Sequence, residues 1–172
     1  MKNRILLAMP ALLVALTLPA APPPKTARAD LSNAKGQKIG SATLRETKGG
    51  VKISLNLSQL PPGTHALHIH AAGKCDAPEF KTAGPHFNPG GKKHGTKNPD
   101  GPHAGDLPNF EVKKNGRAKV SITATHVTLG DGANPLFHPE GTALVIHEKA
   151  DDYSTDPTGN AGARIACGVV QK

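Results

Sequence analysis

Two histidines separated by one residue give the clearest chemical signal in the chain. His68 and His70 lie in the segment GTHALHIH, where they alternate with apolar residues. Residues two apart on a β-strand project to the same face, so both imidazoles can reach one metal ion. His147 ends the apolar segment Thr142–Ile146 and could join them from a second strand. Imidazole donors of this kind suit copper.

A second group of histidines lies in a long irregular segment. His86, His94 and His103 occur together with Asp106 between residues 71 and 108, where thirteen residues are Gly or Pro. Three imidazoles and one carboxylate can complete a tetrahedral zinc site. A single histidine of this kind is more often an ordinary polar loop or core residue. The joint presence of these residues on two strands and one loop favours metal binding.

The elements that would position these residues are short strands. Several segments alternate or carry β-branched residues between turn signals, and no segment shows a sustained helical period. The dipeptides Gly49-Gly50 and Asn115-Gly116 are typical of hairpin turns. The predicted strands are 27–31, Ile39–Glu46, Val51–Leu57, Ala66–His70, Phe110–Lys113, Ala118–Ala124, Thr142–His147 and Arg164–Val170. This number of strands predicts an all-β sandwich or barrel.

Two stretches do not fit strands. They are Ala71–Pro108, which carries the second histidine group, and Glu148–Ala163, which is polar and irregular. Loops this long are uncommon in compact domains unless they have a function, because they bury little to offset their ordering entropy. His65 lies an odd number of residues from His68, so a regular strand would point it away, and we expect a buried structural role.

The N-terminal segment is typical of a secretory signal peptide. Lys2 and Arg4 precede the mainly apolar stretch Ile5–Leu18, and small residues follow at Ala20 and Ala21. We therefore predict a signal peptide at residues 1–20 and one domain at 21–172, with an uncleaved anchor as the alternative. Cleavage after Ala29 is also open, but it would remove most of the first predicted strand.

Cysteine count and charge agree with export. The chain has two cysteines, Cys75 and Cys167. An even count in an exported protein indicates a disulfide, with two unpaired buried thiols as the alternative. The formal charge of +8 suggests an anionic substrate or partner. Nucleic acid is disfavoured, because only 3% of residues are aromatic and export separates the chain from it.

Six segments resemble copper–zinc superoxide dismutases of the exported bacterial type and occur in the order found in that family. They are GTHALHIH, GPHFNP, KKHG, GPHAGDLPN, ALVIHEKADD and GNAGARIACG. The resemblance implies a Greek-key β-sandwich or flattened barrel of about eight antiparallel strands with two long functional loops. It also implies that two superoxide anions and two protons become oxygen and hydrogen peroxide, by alternate reduction and oxidation of copper.

The resemblance implies one copper and one zinc ion per subunit. The implied copper ligands are His68, His70, His86 and His147. The implied zinc ligands are His86, His94, His103 and Asp106, with His86 as a bridging imidazolate. His126 and His138 match no ligand of the family, and we expect both on the surface.

Further residues match positions around the family's metal site. Arg164 matches the arginine that attracts and orients superoxide in the family. Asp151 matches a carboxylate that links His68 to His94. Thr158 matches a residue of the substrate channel, and Cys75 and Cys167 match the family disulfide. Pro157 stands where many relatives have a channel lysine. Steering would then depend on Arg164 and on other lysines, with Lys81, Lys92, Lys93 and Lys97 as candidates.

The resemblance does not determine the exact location or the assembly state of the protein. Superoxide is the expected partner, with no nucleic acid and no stable membrane insertion, in the periplasm, the cell envelope or outside the cell. A homodimer and association with anionic envelope polymers are open. The main alternative is an exported copper- or zinc-binding protein of this fold without turnover. An adhesion or structural module would explain the basic charge but not the histidines.

Overall fold

The computed structural model describes residues 25–172, so the predicted signal peptide lies outside the described residues. The described part is all-β and has one short 3-10 turn, Lys81–Ala83. Its strands are β1 Thr26–Asn33, β2 Lys38–Thr47, β3 Gly50–Leu57, β4 Gly63–His65, β5 Leu67–His70, β6 Phe110–Val112, β7 Ala118–Ala124, β8 Ala143–His147 and β9 Arg164–Val169. No helix within residues 25–172 has the length and apolar character needed to cross a membrane.

Seven strands form one antiparallel sheet in the order β5-β8-β9-β1-β2-β3-β7, and β4 pairs with β6 in a separate small sheet. The prediction of an all-β fold is confirmed, with nine described strands where about eight were expected. The additional strand is β4, whose three residues are too few to show an alternating pattern.

Alternation along the central strands creates the core. Leu44, Ile53 and Ile122 lie opposite one another in register and are buried on the same face. They share one hydrophobic cluster with Ile69 and Ile146 from the other end of the sheet. The sheet therefore curls so that its two ends enclose one core. Complete burial of each such side chain contributes about 1.5–3 kcal/mol.

Strands β5 and β8 are buried on both faces, and this explains the position of the first two histidines. Every residue of β8 is buried, and Leu144 and Ile146 face the main core. Val145 lies in a second hydrophobic cluster with Phe80 from the long loop. Because His68 is opposite Val145 in the strand pair, its ring lies on the loop-covered face and not in the main core.

The long loop is fastened to the edge of β5 by backbone hydrogen bonds. The Ile69 N–H donates to the Gly105 carbonyl at 2.9 Å, and the Phe87 N–H donates to the Ile69 carbonyl at 2.8 Å. A Cβ at Gly105 would lie 2.3 Å from the Ile69 carbonyl oxygen, so only glycine allows this approach. The attachment places the backbone of His86 beside His70 and that of Asp106 beside His68.

A disulfide joins Cys75 in the loop to Cys167 in β9, which confirms the prediction from the cysteine count. It spans 92 residues of sequence. Closing a loop of this size in the unfolded chain contributes about 4–5 kcal/mol by the chain-entropy model.

We expect the Cys75→Ser/Cys167→Ser variant to lose about 4–5 kcal/mol of unfolding free energy in the metal-free state, because its unfolded chain is less constrained. Guanidinium denaturation against the oxidised wild type measures this difference. Oxidised wild-type protein should carry no thiol that alkylates before reduction. Two alkylated thiols in native, unreduced protein would contradict the disulfide.

Candidate metal centre

Four histidines form a first cluster between the sheet and the long loop. His68 and His70 come from β5, His147 from the end of β8 and His86 from the loop. All four are buried, and one candidate ligand atom from each lies within 4.8 Å of the others. The structure thus brings together the two strand histidines, the third expected from a neighbouring strand, and one histidine of the loop.

Hydrogen bonds on the outside of the first cluster orient its rings. The outward nitrogens lie near oxygen acceptors: His68 Nε2 2.7 Å from Asp151 Oδ2, His70 Nδ1 2.8 Å from the Gly84 carbonyl and His147 Nδ1 3.3 Å from the Gly162 carbonyl. The opposite nitrogens converge, and Nε2 of His70 lies 3.4 Å from Nε2 of His147. Such outer contacts select the ring tautomer and leave the inner nitrogen free to bind a metal.

Three histidines and one aspartate form a second cluster. The Nδ1 atoms of His86, His94 and His103 lie 3.0, 3.0 and 3.2 Å from Asp106 Oδ1. The other oxygen, Asp106 Oδ2, accepts backbone N–H bonds from Gly95 at 2.8 Å and from His103 at 2.9 Å. One carboxylate oxygen therefore organises the loop while the other lies among three ring nitrogens.

The ring of His86 belongs to both clusters. Its Nδ1 lies beside Asp106, whereas its Nε2 is buried without a hydrogen-bond partner. His86 is grouped with the three other residues of each cluster. An imidazole has two nitrogens on opposite sides of the ring, so one side chain can serve two metal ions.

Asp151 connects the two clusters, because its carboxylate contacts one histidine of each. Its Oδ2 lies 2.7 Å from His68 Nε2, and its Oδ1 lies 3.0 Å from His94 Nε2. Asn109 holds the backbone of Asp151 through two side-chain hydrogen bonds of 2.9 Å, and Asn109 N–H donates to the Tyr153 hydroxyl at 2.8 Å. Sequence analysis missed Asn109 and Tyr153, because contacts across 42 and 44 residues leave no local pattern.

The environment keeps most of these groups in the form that binds metal. Burial and neighbouring charges lower the pKa of His70 to about 2 and that of His147 to about 3. Burial also lowers the pKa of His86 to about 4, although Asp106 opposes it. These imidazoles are neutral near pH 7. Burial acts to raise the pKa of Asp106, but hydrogen bonds from His103, His86 and His94 hold it well below its usual range.

The donor atoms fit metal ions. Among the buried ring nitrogens, His68 Nδ1 and His86 Nε2 have no hydrogen-bond partner. A buried polar atom without a partner is costly, and such atoms are rare in native proteins. Nitrogen and carboxylate donors that converge within 4.8 Å are a combination that zinc and copper accept. Bound metal would satisfy these nitrogens.

A cavity of about 830 Å³ reaches the shared histidine His86 and is also lined by His103, Thr158 and Arg164. The Arg164 guanidinium is fixed by NH1, which donates to the Phe80 carbonyl at 2.7 Å, and by NH2, which donates to the Gly84 carbonyl at 2.8 Å. Burial lowers the pKa of Arg164, yet guanidinium groups stay cationic at neutral pH. A fixed positive charge therefore borders the cavity.

Of the four candidate steering lysines, Lys92 and Lys93 line the cavity, and Lys93 Nζ lies 3.3 Å from Asp156. The other two do not line it. Lys81 pairs with Glu79 at 2.7 Å, and Lys97 lies over the ring of Tyr153. Lys92 is thus the cavity lysine without a carboxylate partner among residues 25–172.

Three histidines lie outside both clusters. His65 is buried, with its ring nitrogens 2.8 Å from the carbonyl oxygens of His147 and Pro61, in agreement with a structural role. His126 is exposed as expected. The expectation of a surface position was wrong for His138. Its half-buried ring stacks on Phe87 and lines the cavity, because the segment before β8 folds over the loop.

Gly159 lies against the carboxylate that joins the clusters. A Cβ there would lie 1.9 Å from Asp151 Oδ1 and 2.6 Å from His94 Nε2, and the φ angle is +65°. We expect Gly159→Ala to displace Asp151 and to weaken metal binding by about 10–100-fold. Competition with a chelator measures this change.

Gly36→Ala is the matched control, because Gly36 has φ +74° and open space around its Cβ position. Both variants carry the strain of a left-handed alanine, about 1–2 kcal/mol. Only the Gly159 variant should lose metal affinity. An equal effect in both would mean that backbone strain, and not the Asp151 contact, decides the outcome.

Two buried histidine clusters that share one imidazole on an all-β scaffold define a two-metal protein. Residues 38–170 match the family model described as copper/zinc superoxide dismutase (SODC). The chain is 56% identical to Superoxide dismutase [Cu-Zn] 1 of Aquifex aeolicus (strain VF5) over 145 residues, covering 83% of this chain and 86% of the relative. It is also similar to Superoxide dismutase-like protein YojM of Bacillus subtilis (strain 168), at 42% identity over 81% of this chain and 73% of that protein.

Solved structures agree with these sequence similarities. A double mutant of a SOD-like protein from Bacillus subtilis superposes with a TM-score of 0.82 at 42% identity, over 84% of this chain and 97% of that one. The Cu/Zn superoxide dismutase from Brucella abortus gives a TM-score of 0.70 at 27% identity, over 86% and 100%. The chain belongs to the copper/zinc superoxide dismutase family.

Proposed function

We propose that the protein converts two superoxide anions and two protons to oxygen and hydrogen peroxide, with one copper and one zinc ion per subunit. The observation that carries this proposal is the His86 ring, which is shared by two clusters and lines a cavity that also contains Arg164. A metal store would need the clusters but not a fixed cation at the entrance.

The donor sets distinguish the two metals. His68, His70, His86 and His147 offer four imidazoles, which suit copper. His86, His94, His103 and Asp106 offer three imidazoles and a carboxylate, which suit tetrahedral zinc. Bound copper supplies one-electron redox chemistry, and bound zinc supplies a positive charge of fixed oxidation state.

The residues around the cavity act on a small anion. The Arg164 guanidinium attracts superoxide and presents fixed N–H donors to it, and Thr158 forms part of the channel wall. Superoxide dismutases are an established example of electrostatically steered enzymes that work near the diffusion limit. Lys92 adds a second positive charge at the cavity of this chain.

His86 and Asp151 control the positions of protons. We assign to His86 Nε2, which has no hydrogen bond within the protein, the uptake of a proton while it is not bound to metal and the delivery of that proton to the reduced substrate. Asp151 accepts hydrogen bonds from His68 and His94, and so fixes the tautomers of both rings. Asp151 thus acts as a positioning residue for both clusters.

The test is metal analysis of the mature protein together with a superoxide decay assay. Activity should disappear when copper is removed and return when copper is added back. A protein that binds copper but never accelerates decay would be a carrier of the same fold, the main alternative. A protein that binds neither metal would favour a structural module.

We propose export by a signal peptide at residues 1–20, with a mature domain at 21–172 in the periplasm, the envelope or the medium. The disulfide supports export, because such bonds persist in oxidising compartments. A homodimer and contact with anionic envelope polymers remain predictions.

Cleavage should occur after Ala20. β1 spans Thr26–Asn33 and pairs with β2 from Thr26 onward, so a cut after Ala29 would remove half of a strand. Mass analysis of the exported protein should therefore give a mature N-terminus near Ala21. A start at Asp30 would contradict this prediction.

A further inference from the structure

We propose that a cationic sheet face of this protein binds a linear phosphate-bearing polymer of the cell envelope. The face, here called the open face, is the solvent side of β1, β2, β3 and β7 together with the β6–β7 turn. Its charged residues are Arg28, Asp30, Lys38, Arg45, Lys52, Lys113, Lys114, Arg117 and Lys119. The inference rests on the proposed export but not on dismutase activity.

The open face carries the whole net charge of the described chain. It has eight cations and one carboxylate, a formal charge of +7. The other eleven cations and twelve carboxylates of residues 25–172 sum to a charge of −1. The positive charge is therefore concentrated on one side, which a general solubilising function would not require.

Most cations of the open face are available to a ligand. Asp30 lies 2.9 Å from Arg28 and 3.0 Å from Lys38, so the one carboxylate is already neutralised. Arg45, Lys52 and the four cations of the β6–β7 turn and β7 are exposed. None of these six lies within 4.0 Å of a carboxylate among residues 25–172.

Strand register arranges these groups in rows. Arg45, Lys52 and Thr123 form one row, and Ser41, Asn56 and Lys119 form another four residues away. The rows are about 13 Å apart at about 3.3 Å per residue. Between them lie Thr43, Ser54 and Ser121, whose hydroxyls can donate hydrogen bonds. Cations and neutral donors thus form a continuous polar strip.

The strip ends in a groove of about 520 Å³. Its polar lining residues are Lys38, Asn56, Ser58, Lys113, Asn115, Arg117 and Lys119. None of its lining residues is acidic, and none is shared with the cavity at the metal centre. An anion in this groove would meet several donors at once and would leave the substrate route open.

The chemistry of the face favours a flexible chain with charged groups along its backbone. The exposed residues of the strip are polar or charged, so it offers neither aromatic rings for stacking on bases nor apolar side chains for insertion into a lipid layer. Arginine matches phosphate oxygens with paired donors, and lysine binds phosphate as a point charge.

The test uses long-chain inorganic polyphosphate as the probe and the metal-loaded mature protein. The Lys113→Gln/Arg117→Gln/Lys119→Gln variant should weaken binding at least tenfold. The slope of log affinity against log salt should fall by about 2, since each lost phosphate contact contributes about 0.7 for a single-stranded chain. Superoxide decay by this variant should match wild type.

The matched control is Lys35→Gln/Lys74→Gln/Lys172→Gln, which removes the same charge from residues that do not belong to the open face. It should retain wild-type affinity for polyphosphate. Equal losses in both variants would overturn the proposal, because net charge alone would then explain binding. Tighter binding to anionic vesicles or to single-stranded DNA than to polyphosphate would also overturn it. A protein that binds polyphosphate but has no dismutase activity would contradict only the proposed enzymatic function.

Discussion

Replacing His70 by alanine should reduce superoxide turnover by more than about 100-fold, with zinc retained and copper lost. His70 is completely buried, and its Nε2 faces only the first cluster, 3.4 Å from His147 Nε2. Changes at residues that merely orient metal ligands already cost 10–100-fold, so loss of a ligand should cost more. Metal content per chain and the decay rate are measured on the same sample.

The companion variant is His94→Ala, which removes a donor of the second cluster and leaves all four donors of the first. We expect zinc content to fall while the four imidazoles of the first cluster remain. Because Asp106 would lose one of its three imidazole neighbours, the loop at residues 71–108 should exchange its amide hydrogens faster. His126→Ala is the control, since His126 is exposed and lies outside both clusters.

Two results would contradict the assignment of the clusters. Full copper content and full activity in His70→Ala would mean that the first cluster is not the copper site. Loss of both metals in equal amounts from both variants would mean that the clusters do not act separately. Far-ultraviolet circular dichroism on each variant checks that the fold persists.

Replacing Arg164 should lower activity without removing either metal. The guanidinium donates to the Phe80 and Gly84 carbonyls and lies in no metal-binding group, so both clusters keep their donors. Arg164→Ile should reduce the rate on the order of tenfold, because fixed charges at a cleft raise association rates by about 10–1,000-fold. The remaining rate should depend less on ionic strength.

Three substitutions at Arg164 separate the effect of its charge from the effect of its hydrogen-bonding geometry. Arg164→Glu should be slower than Arg164→Ile, because it repels an anion instead of only failing to attract it. Arg164→Lys should lie between wild type and Ile, since it keeps the charge but loses the paired donors. Pulse radiolysis at several salt concentrations gives the rates, with copper content measured in each variant. Equal rates for wild type, Ile and Glu at equal copper content would refute steering.

Arg164 also shares an acceptor with the first cluster. The Gly84 carbonyl lies 2.8 Å from both the Arg164 NH2 atom and His70 Nδ1. A change at Arg164 can therefore alter the orientation of His70 as well as the charge of the cavity. Arg164→Lys tests this effect on His70, because lysine keeps one N–H donor near the Gly84 carbonyl but lacks the paired donors of the guanidinium.

The sequence alone determined the type of fold and the strand positions of His68 and His70, because these depend on local spacing. The full ligand sets were predicted from the family resemblance. Alternation placed His68 and His70 on one face of a strand, and the same rule separated His65 from them. Hairpin signals and Gly- or Pro-rich stretches indicated where strands ended and loops began. Two cysteines allow only one intrachain disulfide, and the structure confirms it.

Only the tertiary structure decided how distant segments meet. The sharing of His86 by two clusters requires the loop to hydrogen bond to β5, and Asn109 supports Asp151 across 42 residues. The half-buried position of His138 and the exclusion of Lys97 from the cavity likewise depend on how loops pack. Local spacing determines which face a side chain occupies, whereas its neighbours across the fold depend on contacts that no local pattern encodes.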